Sequence, residues 1–155
     1  VGAGGNRGGG VTDQIVIAMI EDDEGHARLI EKNLRRAGVD NEIVPLKDGA
    51  SAIDFLFGPD GTGMINKGRP LLILLDLNLP DISGVEILQR IKENEHLKVV
   101  PVVVLTTTDD RMEIQRCYDL GCNVYITKPV DYEKFAHAIK QFGLFMYVMQ
   151  VPKAV

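Results

Sequence analysis

Four aliphatic runs in this chain each end in a polar residue suited to chemistry. Asp76 closes Leu71-Leu72-Ile73-Leu74-Leu75, Glu21-Asp22 close Ile15 to Ile20, Thr106 closes Val102 to Leu105, and Lys128 follows Val124-Tyr125-Ile126-Thr127. The run Leu71 to Leu75 has the pattern of a strand buried on both faces of a parallel sheet. An unpaired carboxylate does not belong inside such a strand. It fits at the strand's C-terminal end, where open α/β sheets hold their ligands. Carboxylate oxygens suit a hard divalent cation such as Mg²⁺. An ammonium and a hydroxyl suit phosphoryl oxygens. Asp76, standing among them, is then the nucleophile that takes a phosphoryl group.

The elements that must position these residues follow from periodicity and punctuation. A strand at Ile15 to Ile20 leads to a helix at about Gly25 to Ala37, with Ala27, Ile30, Leu34 and Ala37 at helical spacing and Gly38 as the stop. A short strand at Glu42 to Leu46 leads to a helix capped by Asp48, with Ala52, Ile53, Leu56 and Phe57 apolar. Gly58 to Pro70 reads as an inserted loop. The strand ending in Asp76 passes through Leu77 to Ser83, which carries Pro80, into a helix at about Ser83 to Asn94 with Val85, Leu88 and Ile91 inward. The strand ending at Thr106 precedes a helix at about Asp110 to Leu120, stopped by Gly121, and the last strand precedes a helix from about Asp131. Five strand–helix repeats predict an α/β fold with a five-stranded parallel sheet, order 2-1-3-4-5, in a flavodoxin-like three-layer αβα arrangement. That order sets the ends of strands one and three side by side, which brings Glu21 and Asp22 against Asp76.

Residues 1–12 are glycine-rich and read as a disordered tail, residues 13–143 as one domain, and residues 144–155 as an apolar extension of the last helix. The one-sided pattern of Tyr132 to Phe142 gives way to residues apolar nearly all round from Leu144 to Val151. A small domain cannot cover such a segment on every side, so it is expected to contact a second copy in a homodimer.

The formal net charge of −5 and the lack of a basic stripe or aromatic platform argue against nucleic-acid binding. No apolar run reaches the length of a membrane span and no signal peptide is visible, so a cytoplasmic protein without membrane contact is expected. Cys117 and Cys122 lack further ligands at zinc-site spacing and read as reduced, partly buried thiols. His26, His96 and His137 lie far apart and read as surface residues.

These residues together resemble the receiver domain of two-component response regulators, over about Val16 to Phe142. The likeness rests on Glu21-Asp22, Asp76, Thr106 and Lys128-Pro129 in order, each at a strand end, with the family's separations from Asp76 to Thr106 and to Lys128. It implies that Asp76 is the phosphoacceptor and that Glu21 and Asp22 are the acidic pair of a Mg²⁺ site, completed by Asp76 and the Asn78 carbonyl. Thr106 would be the switch hydroxyl, Tyr125 the aromatic that changes rotamer with it, and Lys128 the partner of the phosphoryl oxygens. The Lys128-Pro129 bond is expected to be cis. The resemblance implies a phosphoacceptor signalling protein rather than an enzyme. It would take its phosphoryl group from a histidine kinase, lose it by Mg²⁺-dependent autodephosphorylation, and signal by protein–protein contact through its fourth helix, fifth strand and fifth helix. The Gly58 to Pro70 insertion, the apolar C-terminus and Leu74 to Pro80 resemble the single-domain regulators that accompany phytochrome-type kinases. Thr107 departs from the usual Ala or Ser and is expected to narrow access to Asp76.

The same residues disfavour three other families of related chemistry or fold. A haloacid-dehalogenase-type phosphatase needs an acid two residues after its nucleophile, where this chain has Asn78. A pseudo-receiver would lack the acceptor or the acidic pair. A flavodoxin would carry a Ser/Thr/Gly-rich loop where this chain has Glu21-Asp22-Asp23, which repels phosphate. Taken singly, Thr106 and Lys128 would pass for loop residues, Tyr125 for strand packing and Asp23 for a helix cap.

Overall fold

The computed structural model describes residues 15–58 and 70–146. The elements are β1 (Val16–Ile20), α1 (Glu24–Arg36), β2 (Ile43–Leu46), α2 (Gly49–Phe57), β3 (Leu71–Leu75), α3 (Gly84–Glu93), β4 (Val102–Thr106), α4 (Arg111–Leu120), β5 (Val124–Thr127) and α5 (Tyr132–Met146). Each helix begins or stops where local chemistry dictates. The Asp23 side chain accepts from His26 N–H at the start of α1, Asp48 and Ser51 form a reciprocal capping box on α2, and Ser83 and Asp110 cap α3 and α4. Such caps satisfy backbone donors that the helix itself leaves unpaired. Gly121 ends α4 at φ 108°, a left-handed conformation that favours glycine.

The strands form one parallel sheet in the order β2-β1-β3-β4-β5, as the alternation of elements predicts. Every residue of β1, β3 and β4 is buried, because helices cover both faces. Alternate residues point to opposite layers. Ala18, Ile73 and Val104 pack with Ala52, Leu56, Leu88 and Ile91 beneath α2 and α3, while Ile17, Leu72 and Val103 pack with Ile30, Leu34, Phe135 and Ile139 beneath α1 and α5. Strand β5 takes the edge position that the predicted order gives it, with Val124 and Thr127 exposed and Tyr125 and Ile126 half-buried. An edge strand has a neighbour on one side only, so its flank meets solvent.

The expected tail at residues 1–12 lies outside the described residues, as do nearly all of the inserted loop and the extension beyond Met146. Within α5, Phe135, Ile139 and Met146 are buried, whereas Tyr132 and Leu144 face outward at 61% and 58% exposure. Among the described residues no helix is long and apolar enough to cross a membrane. Cys117 and Cys122 are both free and buried, and burial pushes the Cys117 thiol up to about 11.

Candidate functional site

Register delivers the site. Ile20 pairs with Leu75 across β1 and β3, so Glu21 and Asp76 are the first residues past the paired ends of adjacent strands. The Asp76 N–H still donates to the Ile20 carbonyl at 3.0 Å, which holds its Cα beside that strand end. On the other flank Thr106 pairs with Thr127, and the Lys128 N–H continues the ladder to the Thr106 carbonyl at 2.7 Å. Four strands thus end in one row at the C-terminal edge of the sheet. Close approach of α3 tightens the Asp76 side of the row. A Cβ on Gly84 would stand 2.5 Å from the Asp76 carbonyl oxygen and 2.6 Å from the Leu77 Cα, so only glycine lets the helix start there.

The side chains converge. Lys128 is buried and its Nζ donates to Glu21 Oε1 at 2.6 Å and to Asp76 Oδ2 at 3.0 Å. Asp76 Oδ1 accepts from the Asn78 N–H at 3.1 Å. The Asn78 amide reaches the hydroxyls of Thr106, Thr107 and Thr108 at 3.3, 3.3 and 3.4 Å. Glu21, Asp22 and Asp76 can each aim one carboxylate oxygen so that all three lie within 4.8 Å of one another. Glu21 and Asp76 are buried, and Asp22 is exposed at the mouth. An opening of about 220 Å³ is lined by Asp22, Asp23, His26, Asp76, Asn78, Thr107 and Lys128.

The electrostatics separate the two buried acids. Burial raises Glu21 to about 7, with Lys128 opposing the rise and Asp76 adding to it. Burial also acts upward on Asp76, but the Asn78 N–H, the Lys128 ammonium and the Thr106 hydroxyl outweigh it and hold that carboxyl below its ordinary range. Asp76 is therefore ionised at neutral pH while Glu21 is short of positive charge. One ammonium among three carboxylates leaves the cluster under-neutralised. An all-oxygen donor set with a deficit of positive charge fits a hard divalent cation such as Mg²⁺.

Of the residues singled out in the sequence, Glu21, Asp22, Asp76, Asn78, Thr106 and Lys128 come together. Tyr125 stands apart from the carboxylates. Its hydroxyl donates to the Thr108 carbonyl at 2.6 Å, its N–H donates to the Tyr118 hydroxyl at 3.0 Å, and burial pushes its phenol up to about 12. Thr107 is exposed on the rim of the opening. The expected cis bond is not found: among the described residues every peptide is trans, Lys128-Pro129 included. The two isomers before proline differ by only about 0.5–1 kcal/mol, so local packing decides between them, and here the trans form still points the ammonium at Asp76.

Two contributors escaped the sequence reading. Asp81 accepts from the Gly49, Ala50 and Ile82 N–H groups, which ties the loop after β3 to the start of α2. Those hydrogen bonds hold its carboxyl below the usual range. His26, expected at the surface, is half-buried with its Nδ1 3.0 Å from Lys128 Nζ. Its place three residues after the Asp23 cap, on the first turn of α1, was the available signal.

The family described as the response regulator receiver domain matches residues 17–140 of this chain. The chain belongs to that family. A receiver domain structure from Rhodospirillum rubrum is 65% identical, with a TM-score of 0.87 over 90% of this chain and 98% of that one. The response regulator Rcp1 of Synechocystis is 40% identical over 132 residues, which is 83% of this chain and 88% of that protein. A structure of Rcp1 with Mn²⁺ bound superposes with a TM-score of 0.78 at 34% identity, covering 88% of this chain and 98% of that one. The phosphorylated cyanobacterial phytochrome response regulator RcpA gives a TM-score of 0.78 at 37% identity, covering 88% and 97%. Receiver domains are signalling proteins of two-component systems that interact with histidine kinases. One of the structures this receiver resembles is thus that of a phytochrome response regulator.

Proposed function

We propose that this receiver accepts a phosphoryl group on Asp76 from a phosphohistidine of a histidine kinase of the phytochrome class, with Mg²⁺ in its acidic pocket. The observation that carries the reading is the convergence of Asp76, ionised and 3.0 Å from the Lys128 ammonium, with Glu21 and Asp22. A carboxylate oxygen of Asp76 attacks phosphorus in line. The new O–P bond makes an acyl phosphate, the P–N bond breaks, and its electron pair stays on the kinase imidazole. Lys128 pairs with a phosphoryl oxygen, and the Thr106 hydroxyl donates to another. Glu21, Asp22, Asp76 and the Asn78 carbonyl would hold Mg²⁺, which supplies neutralising charge to the transferring group. The Tyr125 side chain, hydrogen-bonded to Thr108 on the loop after β4, would carry any movement of Thr106 to the α4–β5–α5 face. Rcp1 and RcpA, a phytochrome response regulator, support the choice of kinase class. A homodimer through the outward side of α5 is supported by the exposure of Leu144.

Intact mass after incubation with acetyl phosphate tests the reading. One phosphoryl group should be gained with Mg²⁺, and none with EDTA or in Asp76→Asn. No gain in the wild type under any condition refutes it.

A further inference from the structure

A lysine ammonium has three N–H donors and no acceptor. All three donors of Lys128 have a partner here: Glu21 Oε1 at 2.6 Å, Asp76 Oδ2 at 3.0 Å and His26 Nδ1 at 3.0 Å. Because the ammonium can only donate, the nitrogen facing it carries a lone pair. An imidazole that accepts at Nδ1 carries its ring proton on Nε2. The ring is held from elsewhere as well. The His26 N–H is bound by Asp23 Oδ1 at 2.9 Å, which anchors the first turn of α1. The imidazole meets Phe135 of α5 edge-on, with centroids 5.5 Å apart and planes at 75°, and Phe135 is itself buried. The Asp23 carboxylate stands 3.9 Å from Nδ1, too far for a hydrogen bond.

We infer that His26 is a positioning residue, the neutral third acceptor that keeps the Lys128 ammonium aimed at Asp76. The inference rests on Asp76 being the phosphoacceptor. The three acceptors differ in what phosphorylation does to them. Glu21 competes with Asp76 for the ammonium and holds the shorter bond. The lysine stem is flexible, so with two anchors alone the ammonium can follow Glu21 away from the reacting carboxylate. A third anchor defines its direction. A carboxylate in that place would repel the incoming phosphoryl dianion, whereas an imidazole lone pair accepts without adding negative charge. The brace on Phe135 keeps that lone pair in place and ties the ammonium's position to α5.

His26→Phe keeps an aromatic ring for Phe135 and removes the acceptor. His26→Gln restores an acceptor oxygen without the ring. Phosphorylation by acetyl phosphate, followed by intact mass against time, should be about tenfold slower in His26→Phe, the equivalent of about 1.4 kcal/mol in the barrier. His26→Gln should recover most of that loss. Added to Lys128→Met, His26→Phe should cost nothing further, since the group it positions is gone. Long-range ¹H–¹⁵N spectra of the metal-free protein should show an unprotonated Nδ1 on His26 whose signal shifts in Lys128→Met. Wild-type rates in His26→Phe, a loss that persists beside Lys128→Met, or a proton on Nδ1 would each overturn the inference. A wild type that takes no phosphoryl group overturns the function and this role together. A Lys128-dependent Nδ1 signal would then show that the contact exists and that the failure lies in the chemistry at Asp76.

Discussion

Replacing Lys128 by methionine should expose the charge imbalance on which this site is built. The substitution keeps an unbranched side chain of similar length and removes one ammonium. That ammonium is 1% exposed and lies 2.6 Å from a Glu21 oxygen and 3.0 Å from an Asp76 oxygen. Breaking a buried pair from one side costs about 3–5 kcal/mol, because the remaining charge has no compensation. The lower end of that range applies here, since Glu21 already stands at about 7 and escapes further cost by taking a proton. The sign of the pH dependence follows. The folded-state value of Glu21 lies above its ordinary 4.5, so the folded protein binds this proton more tightly than the unfolded chain does. Its contribution is fully present below about 4.5 and is lost as pH rises through about 7. Asp76 is depressed instead, so its contribution is present above the ordinary 3.8 and is lost only as pH falls below that value. Between those limits Glu21 governs, and the wild type should lose stability in EDTA as pH climbs from 5 to 8. In Lys128→Met the loss relative to wild type should be about 3 kcal/mol at pH 8 and about 1–2 kcal/mol at pH 5.5, where Glu21 is neutral in both proteins. Urea titration reads this directly. At a slope of about 2 kcal/mol per molar, the midpoint should fall by about 1.5 M at pH 8 and by less than about 1 M at pH 5.5. Mg²⁺ should restore more stability to the variant than to the wild type, because a cation then replaces the missing ammonium. An equal loss at both pH values, or a shift below about 0.3 M at pH 8, would refute the assignment of Lys128 as the counter-charge of this cluster.

Two further substitutions probe the frame around the site. Gly84→Ala drives a Cβ against the Asp76 carbonyl oxygen and the Leu77 Cα, both backbone and unable to swing aside. It should cost about 1–3 kcal/mol in urea and slow phosphorylation by acetyl phosphate, and an unchanged midpoint would show that α3 has room to yield. Leu144→Lys places a charge on the outward side of α5 and should convert a homodimer to monomer in light scattering while stability changes by less than about 0.5 kcal/mol. A dimer that survives the change would remove α5 as the contact.

The buried strands were legible because the information is local. Runs such as Leu71 to Leu75 and Val102 to Leu105 have no polar residue to place, so both faces must be covered, and a parallel sheet is the arrangement that covers them. The caps at Asp23 and Asp48 were readable for the same reason, since a cap involves residues only two or three positions apart. The exposure within β5 was not: the predicted order makes it an edge strand, but that Tyr125 and Ile126 are half-buried depends on what packs around that edge. The isomer of the Lys128-Pro129 bond was equally out of reach, because the intrinsic difference is small and packing decides it.

By itself the sequence determined which polar residues close the aliphatic runs, and hence that acids, a hydroxyl and a lysine share one edge of a sheet. The order of strands then made neighbours of Glu21 and Asp76, residues far apart along the chain. Only the tertiary structure decided how those groups divide one ammonium among them. Lys128 meets Glu21 across 107 positions of sequence and His26 across 102. Distances of that kind depend on how α1 and α5 pack over the sheet, and no local pattern encodes them. Burial, likewise a property of the assembled fold, raises Glu21, while donors gathered from three separate segments hold Asp76 down. Two carboxylates of one chemical kind thereby acquire opposite behaviour through their surroundings alone.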